Sequence, residues 1–244
     1  MKVHLIAAGK FHDIDFARLE LLKLLAEHAD FRTSVASDYA DTASLAHADL
    51  LITYTCDVIP DAAQTKTLRA YLERGGRWLA LHGTNSILRF GADGIVDCPN
   101  EAPEFMEILG TRFAAHPPIA PYKVEITRAD HAITKGLREF KIEDELYLTR
   151  RTAEIDVLLH TRFEGNCPEF RDADWKETQS PVLYERRVGA GAILYLTLGH
   201  CRGHYDLQPL RAFNPHPQRH GWNYPIFYEL LRRGILWGKP PQAK

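Results

Sequence analysis

The sequence predicts an α/β fold: a doubly wound, mostly parallel sheet followed by a β-rich second half. Three observations carry this expectation. Within about the first 80 residues, strand, helix, strand, strand, helix and strand signals follow one another, the order of a parallel sheet. The strands in that stretch are short continuous apolar runs, the mark of buried strands. The remainder loses this regularity and carries a hairpin signal instead. At 244 residues the chain suits one domain, 1–244, with enough length to bury a sizeable core.

Taken in order, residues 3–8 form an apolar run ending in Gly9, and read as a first strand rather than a cleavable leader. Phe16, Leu19, Leu22, Leu25 and Ala26 recur at helical spacing, so residues 14–29 read as an amphipathic helix. Residues 31–36 and 48–54 are the second and third strands. Residues 61–74 alternate at helical period, and Gly75-Gly76 supplies a left-handed stop. Residues 78–81 are a fourth buried strand. Beyond it, 103–109 reads as a short helix, and 123–127 and 157–162 as strands. Residues 182–187 and 192–198 flank Gly189-Ala190-Gly191, a hairpin. The proline- and aromatic-rich stretch 202–224 reads as a long loop, and residues 225–237 as a closing helix.

Composition narrows the function classes. Hydrophobic residues at 45% and charged residues at 25% are ordinary for a globular protein. A formal charge of -2 with scattered arginine pairs gives no concentrated basic face, which argues against nucleic acid. No apolar run approaches the roughly 20 residues that span a bilayer. Cys56, Cys98, Cys167 and Cys201 are far apart and form no CxxC pair, fitting free thiols in a reducing compartment and hence the cytoplasm.

In doubly wound sheets, ligands sit beyond the carboxyl ends of the strands, near the point where strand order reverses. The loops 9–13, 55–60 and 82–88 are therefore the ones to inspect. His82 stands where a buried strand runs into a glycine turn, the place a nucleophile elbow would give to Ser or Cys. Its plainer reading is a hydrogen bond to a neighbouring loop. His200 likewise follows an apolar strand; His204 comes four residues later in surroundings that argue against a helical metal pair. In Glu143-Asp144-Glu145-Leu146-Tyr147, adjacent carboxylates of a strand-like segment face opposite ways, so only one of Asp144 and Glu145 can enter a given cleft. The alternative is an acidic surface turn. His116 lies between aromatics and prolines, and His12 closes the loop after the first strand; each suits ligand binding or plain loop packing. Cys56 follows the third strand without a basic neighbour in sequence to lower its pKa, which disfavours a thiolate nucleophile. There is no GxxxxGK[ST], no GxGxxG after the first strand and no serine elbow, which leaves nucleotide, dinucleotide and serine-hydrolase readings weak.

Together these segments resemble a known family. Leu109-Gly110-Thr111-Arg112-Phe113 with His116-Pro117 is similar to its LGxxFxxHP motif. Asp130-His131-Ala132-Ile133-Thr134-Lys135-Gly136-Leu137, Phe140 and Asp144-Glu145-Leu146-Tyr147 resemble DHPITxGLxxFxxxDELY, with Ala132 in place of the usual proline. Gly189-Ala190-Gly191 through Leu198-Gly199-His200 resembles its GxGRVFYxxLGH ending. This is the ThuA-like family, named for trehalose utilisation. The resemblance implies a flavodoxin-like, class I glutamine amidotransferase-like fold and a link to sugar or keto-sugar metabolism. It puts forward His82, His116, Asp144, Glu145 and His200 as the shared polar set.

The leading expectation is a carbohydrate enzyme without a cysteine nucleophile, an isomerase, lyase or hydrolase rather than a glutamine amidotransferase. His82 and His200 would exchange protons, with Glu145 orienting an imidazole or acting as base. His12, His116, Asp144, Tyr147 and Trp222 would contact the sugar, with Tyr224 and Phe213 as further stacking candidates. A second version adds a divalent ion such as zinc held by two or three of His82, His116, His200 and Glu145, with the three histidines foremost, although no short ligand spacing supports it. The competing class is a non-catalytic sugar-binding or regulatory protein; convergence of the histidines and Glu145 in one pocket is the feature that separates the two. The expected partner is a small carbohydrate, and a homo-oligomer is compatible with an enzyme of this size.

Overall fold

The computed structural model describes residues 1–204 and 215–239. Its centre is a nine-stranded sheet in which the chain first winds back and forth around a buried apolar strand. β1 (Lys2–Gly9) pairs in parallel with both β2 (Arg32–Ala36) and β3 (Leu50–Cys56). β4 (Arg77–Leu81) lies parallel beside β3, and β13 (Gly191–Leu196) parallel beside β4. From β13 the sheet continues antiparallel through β12 (Asp174–Val188), β11 (Asp156–Asn166), β8 (Ala120–Ile126) and β9 (Phe140–Asp144). The order is thus β2-β1-β3-β4-β13-β12-β11-β8-β9. Strand order reverses between β1 and β3, the position at which such sheets open a ligand crevice.

Alternation along each strand feeds two cores. Leu5, Ile52, Leu79, Leu81 and Leu194 face one side, covered by α1 (Ile14–Ala26) and α5 (Pro225–Trp237). Ile6, Leu51, Trp78, Ala80 and Tyr195 face the other, covered by α2 (Thr42–His47), α3 (Ala62–Glu73) and α4 (Pro103–Leu109). Aspartates start three of these helices: Asp13, Asp41 and Asp61 each accept a backbone N–H three residues on. Two short ribbons complete the chain. β7 (Thr111–Ala115) pairs with β10 (Leu148–Arg151), and β5 (Arg89–Phe90) with β6 (Val96–Asp97).

Several boundaries differ from the periodicity reading. The helix expected over 14–29 ends at Ala26. The third strand starts two residues later than expected, because residues 42–48 are taken by α2 and its cap, a helix too short to show a period. The strand expected over 123–127 starts earlier and ends at Ile126 as β8, and residues 157–162 fall in the longer β11. The stretch 202–224 is not wholly irregular: Arg202 bridges to Gln218, and His220–Asn223 forms a 3-10 turn. Phe213 lies outside the described residues. Among the described residues no helix is long and apolar enough to cross a membrane.

Candidate active site

The site forms where β1, β3, β4, β9 and β13 end. His12 follows β1 in the loop that leads to the Asp13 cap. His82 opens a 3-10 turn, His82–Asn85, directly after β4, with φ at +45°. That left-handed geometry is rare for a residue with a Cβ and is kept only where surroundings over-determine it. Here Tyr195 Oη donates to the His82 carbonyl at 2.6 Å and accepts the Asn85 N–H at 2.8 Å. Gly83 permits the turn because a Cβ there would lie 2.8 Å from the Thr55 carbonyl oxygen and 2.9 Å from Cys56 Cβ. His200 follows β13 and depends on Gly199, whose φ of +117° aims the chain back into the protein.

Asp144 and Glu145 part as strand alternation requires. The Asp144 carboxylate accepts N–H groups from Gly199 at 2.7 Å, His200 at 3.0 Å and Glu145 at 2.8 Å. Burial pushes its carboxyl up to about 6, against the pull of His82 and these amides. Asp144 therefore holds the His200 segment and does not line the cavity, in contrast to the substrate contact expected of it.

Glu145 turns the other way, into a cluster of imidazoles. Its oxygens lie 3.0 Å from His200 Nδ1, 3.4 Å from His82 Nε2 and 3.4 Å from His116 Nε2, with Arg202 at 3.6 Å. Burial alone would raise its carboxyl, but His200 and His116 hold it well below the usual carboxylate range. Burial, with His82 and His200 alongside, holds His12 well below the ordinary imidazole value; burial takes His200 down to about 4 despite Glu145. Tyr147 Oη is 3.2 Å from His82 Nε2.

Backbone carbonyls assign the tautomers, since a carbonyl can only accept. His82 Nδ1 is 2.8 Å from the Thr197 oxygen, His12 Nδ1 3.1 Å from that of Lys10, and His116 Nδ1 2.8 Å from that of Pro117. Each Nδ1 therefore carries a proton, and Nε2 is the ring atom that each presents to the site. The ligand atoms of His12, His82, Glu145 and His200 lie within 4.8 Å of one another, and all four residues are buried. This quartet differs from the metal set expected from sequence: His12 enters it, and His116 stands outside.

Above Glu145 a cavity of about 170 Å³ is walled by Phe11, Phe90, Phe113 and Phe170, with His12, His116, Tyr147 and Arg202 supplying polar edges. His82 and His200 are fully buried behind these groups and do not line it. Trp222 is also absent from the cavity. It packs on Phe16, Tyr54 and Phe227, and its indole N–H donates to the Gly199 carbonyl at 2.8 Å, so it supports the His200 turn from the core. Tyr224 packs at the edge of the same core. Arg202 and Phe170 were not singled out by sequence; Phe113 stood inside the LGxxFxxHP segment but without a role. Cys56 touches the cavity, yet burial pushes its thiol well above the ordinary value and His82 holds the elbow position.

A mixed α/β sheet wound around one switch point defines a flavodoxin-like, class I glutamine amidotransferase-like fold, here with His82 at the strand-to-turn elbow. The sequence matches the ThuA family, described as trehalose utilisation, over residues 5–214, and the chain belongs to that family. Solved structures agree on the fold. A ThuA-like protein from Bacteroides uniformis superposes with a TM-score of 0.66 at 19% identity, over 98% of this chain and 91% of that one. A ThuA-like protein from Parabacteroides merdae gives 0.64 at 17% identity, over 99% and 93%. A protein described as cytoplasmic, from Salmonella typhimurium LT2, gives 0.52 at 14% identity, over 98% and 97%. No curated protein matches the sequence.

Proposed function

We propose that the chain is an enzyme that moves protons on a small carbohydrate derivative, a sugar or keto-sugar, held against Glu145. One observation carries the reading: a buried carboxylate on the cavity floor with His116 Nε2 3.4 Å away, both residues lining the ligand space. Imidazoles are the side chains suited to giving and taking protons near neutral pH. His116 is the proton carrier in this scheme, and the Glu145 carboxylate stabilises its Nε2–H form and sets the local charge. His82 and His200, given that role by sequence, lie behind the cavity and orient Glu145 instead. The phenylalanine walls suit the C–H faces of a sugar, and Arg202 and Tyr147 suit its oxygens. The carbohydrate assignment is supported by the trehalose-utilisation description of the family. Four buried free thiols suit a reducing compartment such as the cytoplasm.

The test is incubation with a panel of sugars and their oxidised, keto-bearing counterparts in D2O, followed by proton NMR. Deuterium uptake beside a carbonyl, or product formation, is the expected result. His116→Asn should lower the rate by about 10²–10⁴-fold with the fold intact. Saturable ligand binding without exchange or product across the panel would make the chain a binding module and end the enzymatic reading.

A further inference from the structure

We infer that His12, His82, Glu145 and His200 hold one first-row divalent cation, of which zinc is the type, open to the cavity. The inference starts from an electrostatic conflict. His12 and His82 each commit Nδ1–H to a backbone carbonyl, so in their neutral forms the two Nε2 atoms, 2.9 Å apart, are both acceptors. Such an approach needs positive charge between the two nitrogens, a shared proton or a metal cation, and the three-imidazole, one-carboxylate set points to the cation. Carbonyl-tethered imidazoles with converging Nε2 atoms are the second-shell arrangement that orients histidine ligands to metals.

A second observation is independent of the first. His200 is fully buried; its Nδ1 lies 3.0 Å from Glu145, and its Nε2 has no hydrogen-bond partner. An unpaired polar atom of this kind is costly in a folded interior, and a cation in the quartet would compensate the buried imidazole and the carboxylate beside it. The Glu145 carboxylate supplies the anionic oxygen. Three imidazoles and one carboxylate suit zinc and its first-row neighbours and do not suit calcium or magnesium, which prefer oxygen cages.

The arrangement also says where the cation would be reached. His82 and His200 close it from behind, whereas Glu145 and His12 line the cavity. Two nitrogens 2.9 Å apart, each about 2.05 Å from a cation, subtend about 90° there, the angle of a five- or six-coordinate ion with positions left over. An ion in that position polarises a carbonyl or hydroxyl oxygen of the ligand. The site requires nothing of His116 and does not rest on the identity of the substrate.

The test uses the whole chain, stripped with chelator and titrated with zinc chloride alone by calorimetry and thermal denaturation. One equivalent should bind, and zinc at 100 times its Kd should raise Tm by roughly 5–10 °C. His12→Gln should weaken zinc by about 100-fold or more, since losing even an outer-shell partner costs 10–100-fold. Glu145→Gln, which keeps the volume, should do the same and guards against misfolding of the first variant. His116→Asn should bind zinc like the wild type. Absence of binding to the wild type, or undiminished binding by His12→Gln and Glu145→Gln, overturns the site. Because His116→Asn is expected to keep zinc and lose turnover, failure of the site and failure of the enzymatic reading are read separately.

Discussion

The positive φ of His82 is sustained by one hydroxyl, and removing it gives the sharpest test of how the site is held. Tyr195 is fully buried, donates from Oη to the His82 carbonyl and accepts the Asn85 N–H. Tyr195→Phe keeps the ring and its stacking on Tyr184, 5.2 Å between centroids, but leaves a buried carbonyl and a buried amide unpaired. Each orphaned group costs about 1–3 kcal/mol. Part is recovered when His82 relaxes from a conformation storing about 1–3 kcal/mol. The expected net loss is roughly 2–4 kcal/mol, or roughly 5–15 °C in Tm for a chain of this size. Relaxation also swings the imidazole off the Thr197 carbonyl, so zinc affinity should fall with stability. Tyr71→Phe is the control: Tyr71 Oη donates to the Arg77 carbonyl and accepts N–H groups from Leu51 and Arg77 at the opposite end of β4. It should cost comparable stability and leave zinc binding intact. Urea unfolding followed by circular dichroism, with zinc calorimetry, measures both. A Tyr195→Phe protein within about 0.5 kcal/mol of wild type, the range of inert surface changes, would refute the reasoning. So would equal loss of zinc in both variants.

Three further outcomes follow from packing and burial. Gly83→Ala places a Cβ 2.8 Å from a backbone carbonyl and 2.9 Å from Cys56 Cβ, both in the core, and should lower stability by about 1–3 kcal/mol in urea unfolding. All four cysteines are buried and free, and burial raises their thiols, Cys167 to about 11, Cys98 and Cys201 to about 12, and Cys56 well above its ordinary value. Ellman's reagent should therefore find no fast thiol at pH 8 and all four in guanidinium; one rapid native thiol contradicts the burial. Trp222→Phe removes the donor to the Gly199 carbonyl, but Tyr54 Oη still donates to that oxygen at 2.8 Å, so a modest loss of about 1–2 kcal/mol is expected by thermal denaturation.

What sequence reveals here depends on how far apart the interacting residues lie. The parallel core was legible because Leu5, Ile52, Leu79 and their neighbours are apolar on both faces, and α5 because Pro225 starts a clean amphipathic run. Strand alternation foretold that Asp144 and Glu145 would part. It could not say which enters the cleft, because that choice is made by amides 55 and 56 residues away, at Gly199 and His200. The family resemblance groups His116 with His82 and His200, yet its Nε2 meets Glu145 from outside the quartet. His12 drew less weight than His82, and their contact spans 70 residues. Short ligand spacings betray metal sites carried on one helix or loop. At a sheet edge the ligands are separated by whole strand–helix units, so no spacing rule finds them. The informative signal is instead positional: a histidine or carboxylate at the carboxyl end of a strand, repeated for β1, β4, β9 and β13, and brought together by a strand order that β13 completes by inserting beside β4. The site is thus a property of topology, and it exists only once that last parallel strand is in place.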